Sequence, residues 1–208
     1  MTEVSLRERQ KLARRQRIVE AAVALFAERG FEAVPVAEIA QRAEVSPATV
    51  FNYFPTKEDL IYDGMAAFHT ALLGAIRGRG PGVSVPAAFR EFLLQPRGLL
   101  VTPDPGAREQ LAVVARVIRE SPALQARERQ EAERSVAALA ALVTADLEAG
   151  PRDLRPWVLA TALVGVSRAM SRAVQQAAID GRLGPDFTAE LMAAGTDALT
   201  MIEQGCTA

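Results

Sequence analysis

The side chains best equipped for chemistry cluster between residues 46 and 57, in the stretch SPATVFNYFPTK. Ser46, Thr49, Asn52, Tyr53 and Lys57 bring hydroxyls, a carboxamide and an ammonium close together, and Pro47 and Ala48 are small enough to allow close approach. A carboxamide can donate and accept side by side and so can hydrogen-bond a base edge in a major groove, while hydroxyls and an ammonium suit phosphate oxygens. A second group lies upstream. Residues 7 to 17 hold Arg7, Arg9, Lys11, Arg14, Arg15 and Arg17 against Glu8 alone, a local charge of +5 in a chain whose net charge is −1. Such a cluster suits a polyanion or a solvated helix start.

Catalytic chemistry is poorly provided for. His69 is the only histidine and Cys206 the only cysteine, so neither a histidine metal cluster, a cysteine zinc site nor a disulfide framework can be built. There is no phosphate-binding glycine loop and no nucleophile elbow. The expectation is a protein with no catalytic residues, no metal and no cofactor.

These groups need elements to hold them. Ser46 is a good N-cap, Pro47 suits the first helical position, and Pro55 disfavours helical backbone at Phe54, so a helix of about two turns is expected. At 100° per residue Pro47, Val50, Phe51 and Phe54 share one arc and Ala48, Thr49, Asn52 and Tyr53 the opposite one. A helix this short is unstable alone. A helix over about 36–43, joined through Glu44-Val45-Ser46, makes a helix-turn-helix of residues 36–55, with Val36, Ile39, Ala40, Val45, Val50 and Phe51 on the inner side. The helix over 6–29 would supply the third wall and end at Gly30.

The rest of the chain reads as helix too. Half of the 208 residues are hydrophobic and few are aromatic, a composition that leans to helix bundles. About nine helices are expected and no strand, with a fourth helix opening near Lys57 behind a Thr56 cap. The composition shifts at GRGPG, residues 78–82, and residues 95–106 form a loop. The longest apolar run, WVLATALVGV, is too short to cross a bilayer, and the charged N-terminus is not a signal peptide, so a cytoplasmic protein with no membrane partner is expected.

In the second half, Val158, Ala162, Gly165, Ala169 and Ala173 form a small-residue stripe, and Leu191, Ala194 and Ala198 recur at helical spacing near the end. They suit either a protomer core or, as the preferred reading, a two-fold four-helix interface between two copies. Trp157, Thr161, Val164, Arg168 and Arg172 share a further face, either an aromatic anchor with exposed arginines or a pocket wall with arginines for an acidic ligand group. Phe68, Phe89, Phe92 and Arg116 are further pocket candidates.

The segment RIVEAAVALFAERGFEAVPVAEIAQRAEVSPATVFNYFPTKEDLI resembles the DNA-binding region of the TetR (tetracycline-repressor-type) transcriptional regulators over residues 12–72. That resemblance implies an all-α fold: a three-helix DNA-binding domain over 12–72, then a larger regulatory and dimerisation domain over 78–204. It implies Ser46, Pro47, Ala48, Thr49, Asn52, Tyr53 and Lys57 as DNA contacts, and a dimeric repressor that leaves a palindromic operator when a small-molecule effector binds. Two positions depart from the pattern. Val34-Pro35 stands where threonines usually precede the second helix, and Glu44 where the turn usually has glycine. A helical adaptor that has lost specific DNA binding is the alternative that these two departures leave standing.

Overall fold

Ser5 starts the first helix with a reciprocal cap. Its hydroxyl accepts from the Glu8 amide at 3.2 Å, and the Glu8 carboxylate accepts from the Ser5 amide at 3.1 Å. Helix α1 then runs Leu6–Arg29 and stops at Gly30, which takes φ 80°, a conformation that a Cβ disfavours. It is followed by α2 (Val36–Arg42), α3 (Pro47–Tyr53), α4 (Asp59–Arg77), α5 (Val85–Leu93), a 3-10 turn (Gly98–Leu100), α6 (Pro105–Glu120), α7 (Pro122–Asp146), α8 (Arg155–Ile179) and α9 (Pro185–Thr207). This computed structural model describes residues 5–102 and 104–207, the side chains of 63, 65, 66, 206 and 207 excepted, so the Cys206 thiol lies outside the described residues. Among the described residues all regular structure is helical.

Two boundaries differ from expectation. The loop over 95–106 contains the short 3-10 turn. The fourth helix opens at Asp59, not at Lys57, because the Asp59 carboxylate accepts from the Thr56 amide at 2.9 Å and holds the preceding residues in a turn.

The chain divides into two compact units. The first comprises the residues up to Met65 together with Arg116–Arg127. Its buried apolar side chains include Ile18, Ala22 and Phe26 of α1, Ile39 and Ala40 of α2, Val50 of α3, and Phe31, Val34, Phe54 and Leu60 between and after them. The segment 116–127, where α6 ends and α7 begins, is tied into this unit by polar contacts. The Tyr62 hydroxyl donates to the Leu124 carbonyl at 2.9 Å, Arg127 pairs with Asp59 at 3.3 Å, and Ser121 donates to the Glu32 carboxylate at 2.6 Å. Ser121 is 1 % exposed and also caps α7, accepting from the Leu124 amide.

The second unit comprises Ala66–Ala115 and Glu128–Ala208. Its core joins Leu72 and Ile76 of α4, Val85 and Phe89 of α5, Leu139 and Val143 of α7, Leu163, Val166 and Met170 of α8, and Leu191 and Leu199 of α9. Helices α8 and α9 pack closely, since a Cβ on Gly195 would sit 2.8 Å from the Met170 sulfur. Three expectations are corrected by this packing. Phe89 is fully buried among core side chains, and Leu191 faces the protomer core instead of an outer surface. Arg116 is exposed and belongs to the first unit, whereas Phe68, Phe89 and Phe92 belong to the second.

Candidate nucleic-acid interface

The turn between α2 and α3 sets how the third helix is presented. Val45 donates from its amide to the Ala40 carbonyl at 2.9 Å, and Glu44 to the Gln41 carbonyl at 3.2 Å, the paired bonds of a Schellman ending. Glu44 occupies the left-handed position of that ending, at φ 55°. Glycine serves there without cost, and a side chain costs roughly 1 kcal/mol. At the start of α2, Pro35 is the N-cap and offers no side-chain hydrogen bond.

Helix α3 is held at both ends. The Ser46 hydroxyl accepts from the Thr49 amide at 3.1 Å and lies 2.8 Å from the Thr49 hydroxyl. At the other end Arg15 of α1 donates from Nη1 to the Tyr53 carbonyl at 3.2 Å, and its guanidinium carbon sits 4.4 Å from the centre of the Phe54 ring. A cation at a helix C-terminus satisfies a free carbonyl and complements the helix dipole.

Val50 and Phe54 face inward and are 1 % exposed. Pro47, Ala48, Phe51 and Asn52 are exposed, and Thr49 and Tyr53 are half-buried. Phe51, expected inside, is 49 % exposed. The reason is geometric. With Val50 as the centre of the buried side, Pro47, Phe51, Ala48 and Asn52 follow in that order over about 140° of the outer side, at 100° per residue. The presented face is therefore turned by a fraction of a helical turn from the one the apolar arc suggested.

Of the α1 cations, Arg7, Arg9, Lys11, Arg14 and Arg17 are exposed, while Arg15 is half-buried against Tyr53 and Phe54. Lys57 is engaged as well. Its ammonium donates to the Phe31 carbonyl and stands 4.4 Å from the Phe31 ring centre and 5.5 Å from that of Phe26. Burial pushes its pKa below the ordinary lysine value, partly offset by the Glu32 and Glu58 carboxylates. Lys57 thus braces the turn after α1 in this structure and does not project as a free cation. The bracing roles of Arg15 and Lys57 had no signal in the local sequence, because their partners lie 38 and 26 residues away.

A short helix with an uncharged, hydrogen-bonding outer face, mounted on two others behind a basic helix, is the geometry of a helix-turn-helix reading head. The sequence matches the family of bacterial regulatory proteins, tetR family, over residues 18–62, and the MftR C-terminal domain over residues 83–200. The chain belongs to the TetR family. It is, accordingly, a DNA-binding transcriptional regulator. It is similar to the transcriptional regulator TcmR of Streptomyces glaucescens, at 29% identity over 80% of this chain and 75% of TcmR. It also resembles the transcriptional repressor KstR of Rhodococcus jostii, at 42% identity over 53 residues, 26% of this chain and 25% of KstR. The fold is shared with NalD, the secondary repressor of the MexAB-OprM multidrug efflux pump in Pseudomonas aeruginosa, at a TM-score of 0.56 and 18% identity, covering 93% of this chain and 96% of NalD.

The second unit of this TetR-family chain brings some of the expected pocket residues together. Phe68 and Phe92 meet edge to face, their ring centres 5.5 Å apart. Arg97, which sequence reasoning missed, lays its guanidinium carbon 3.9 Å from the Phe92 ring centre and 5.9 Å from that of Phe68, and donates to the Phe92 carbonyl at 2.8 Å. Beside Phe92 opens a cleft of ≈ 310 Å³, lined also by Ala75, Arg79, Ala88, Glu91 and Gln95. Trp157 and Thr161 lie elsewhere: both are exposed on α8, and Arg168 is half-buried. Val158 (65 %) and Trp157 (54 %) of α8 and Met201 (69 %) of α9 are exposed large apolar groups, as is Leu154 just before α8. Gly165, Ala169 and Ala194 are exposed, and Ala162 and Ala198 half-buried. Among the described residues no group of acidic, histidine or cysteine side chains could hold a metal, and no helix is long and apolar enough to cross a membrane.

Proposed function

We propose that this chain is a homodimeric repressor that binds an inverted-repeat operator in the cytoplasm, the compartment of bacterial DNA, and leaves it when a small molecule binds the second unit. The observation that carries the reading is the outer face of α3, exposed at Pro47, Ala48, Phe51 and Asn52 and held rigidly by Ser46 and Arg15. Asn52 hydrogen-bonds a base edge, Thr49 and Tyr53 reach phosphates from the flank, and the exposed α1 cations neutralise neighbouring phosphates. The repressor assignment draws on KstR, whose matching residues cover the reading head.

Dimerisation is supported by the apolar and small groups exposed on α8 and α9, namely Val158, Trp157, Gly165, Ala169, Ala194 and Met201, with Thr161 and Arg172 among them. Two copies joined there present two reading heads, which read half-sites about 34–36 Å apart. For the effector, the Phe68–Phe92–Arg97 cluster offers apolar surface with a cation at its edge, and the cleft beside Phe92 adds a mainly polar wall that includes Arg79, Glu91 and Gln95. Helix α4 contributes residues to both units and is the candidate transmitter. An effector acts only by the difference in its affinity for the two conformations.

Footprinting on the DNA upstream of the chain's own gene tests the proposal. The expected result is protection of an inverted repeat, with Asn52→Ala relaxing the preference at one position per half-site by about 1–3 kcal/mol. An absence of any protection at low salt overturns it.

A further inference from the structure

Phe51 lies on the outward arc of α3, between Pro47 and Ala48 and toward the Pro47 edge, and half its surface is open to water. The buried side of the helix is filled by Val50 and Phe54. A phenyl ring in that place gains nothing from the phosphate backbone, and it carries no hydrogen-bonding group. Against the edges of a G·C pair it would strip water from donors and acceptors without replacing the lost bonds, which is unfavourable. The major groove offers one apolar group, the C5-methyl of thymine.

Resting on the DNA-binding reading above, we infer that Phe51 is a specificity-determining residue that packs on a thymine C5-methyl in each operator half-site, with Pro47 and Ala48 as the rim of the same apolar patch. The contact needs no rearrangement of the helix, because Ser46 caps one end and Arg15 holds the carbonyl at the other. Asn52 lies at the far edge of the arc, next to Ala48, where its carboxamide suits adenine. The half-site is thus read by one methyl contact and one bidentate hydrogen bond. The methyl contact favours thymine over cytosine at its position, and an added methyl on cytosine restores it.

The test uses the full-length protein and a random-sequence duplex library prepared once with thymidine and once with deoxyuridine, which differ only in the methyl. Enrichment of an inverted repeat from the thymidine library is expected. In the selected duplex, replacing the thymine of a single half-site with uracil should weaken binding about fourfold, the value of one buried methyl-sized group. 5-Methylcytosine at that position should bind more tightly than cytosine. Phe51→Ala should abolish the distinction between thymine and uracil, and its melting temperature checks that it is folded. The comparison of wild type on the two duplexes needs no variant. If uracil is tolerated at every position of an enriched site, the inference is overturned while the DNA-binding reading stands. If Phe51→Ala is folded and keeps the full thymine preference, Phe51 is not the reader. Enrichment of nothing from either library overturns both.

Discussion

Arg15 and Tyr53 stand 38 residues apart, yet Nη1 of the arginine donates to the tyrosine carbonyl at 3.2 Å while its guanidinium covers Phe54. One cation of the basic helix is therefore committed to the protein itself, and Lys57 is committed in the same way to the Phe31 carbonyl. The cations left for phosphate are those exposed on α1. Arg15→Ala should cost about 1–2 kcal/mol of stability from the lost charged hydrogen bond and ring contact, and should weaken operator binding with the salt slope unchanged. Arg14→Ala, at an exposed position, should do the reverse: stability unchanged and a slope flatter by about one unit. Denaturant titration and binding measured over a salt series separate the two. Lys57→Ala should behave like Arg15→Ala, and a slope flattened by a full unit would return Lys57 to the role of phosphate ligand.

The Ser121 hydroxyl serves two partners, the Glu32 carboxylate and the amide that opens α7. Its hydrogen bond is the main reason the Glu32 pKa lies below its ordinary 4.5. The folded state thus holds its proton less tightly than the unfolded chain does. That contribution to stability is complete above 4.5 and is lost as the pH falls through the folded-state value. Ser121→Ala should cost about 1–2 kcal/mol at neutral pH through the lost cap, and its stability should decline less steeply on the acid side. Urea unfolding of both proteins along a pH series measures the difference. Parallel acid limbs would show that the Ser121–Glu32 bond contributes nothing.

The helix-turn-helix was legible because its signals are local. Ser46, Pro47 and Pro55 fix the ends of α3, and the structure closes the helix at Tyr53 accordingly. What the local pattern does not carry is which part of an apolar arc its neighbours cover. Pro47, Val50, Phe51 and Phe54 share one arc, but burial is centred on Val50 and Phe54, so Phe51 is left outside. The same ambiguity explains α9, where Leu191 and Ala194 lie within a turn of each other and only the leucine reaches the core. It explains Trp157 also, a large aromatic that periodicity allows in a pocket and the structure leaves exposed. Arg97 escaped notice because its partners, the rings of Phe68 and Phe92, come together only through packing.

Glu44 stands where the turn usually has glycine, and its φ of 55° puts a side chain in the left-handed region. Glu44→Gly should relieve about 1 kcal/mol of left-handed strain, less a part returned as added freedom of the unfolded chain. It also removes a negative charge two residues before the cap of α3. Thermal unfolding should therefore rise slightly and operator affinity should rise at low salt, the electrostatic share fading as salt is added. Lower stability in the glycine variant would mean that the Glu44 side chain makes a compensating contact worth more than the strain.

Two glycines on the paired helices of the second unit make opposite predictions. A Cβ on Gly165 meets no atom within 4 Å, and the residue is exposed on α8. A Cβ on Gly195 would lie 2.8 Å from the Met170 sulfur and 3.1 Å from a Leu94 methyl. Gly195→Leu, too large for a shift of the flexible Met170 end to absorb, should accordingly strain the protomer core and lower its melting temperature, at a cost of about 1–3 kcal/mol typical of overpacking. Gly165→Glu should leave the protomer folded, by circular dichroism, while setting a charge into the proposed contact between copies. An unpaired charge buried at such a contact is expensive, so the variant should be monomeric by light scattering. Each monomer would then hold a single half-site, and the affinity gained by linking two reading heads would disappear. Half-site binding should survive, since α3 and its braces are untouched. A Gly165→Glu protein that is monomeric and yet holds the full inverted repeat as tightly as the wild type would refute the dimeric mechanism.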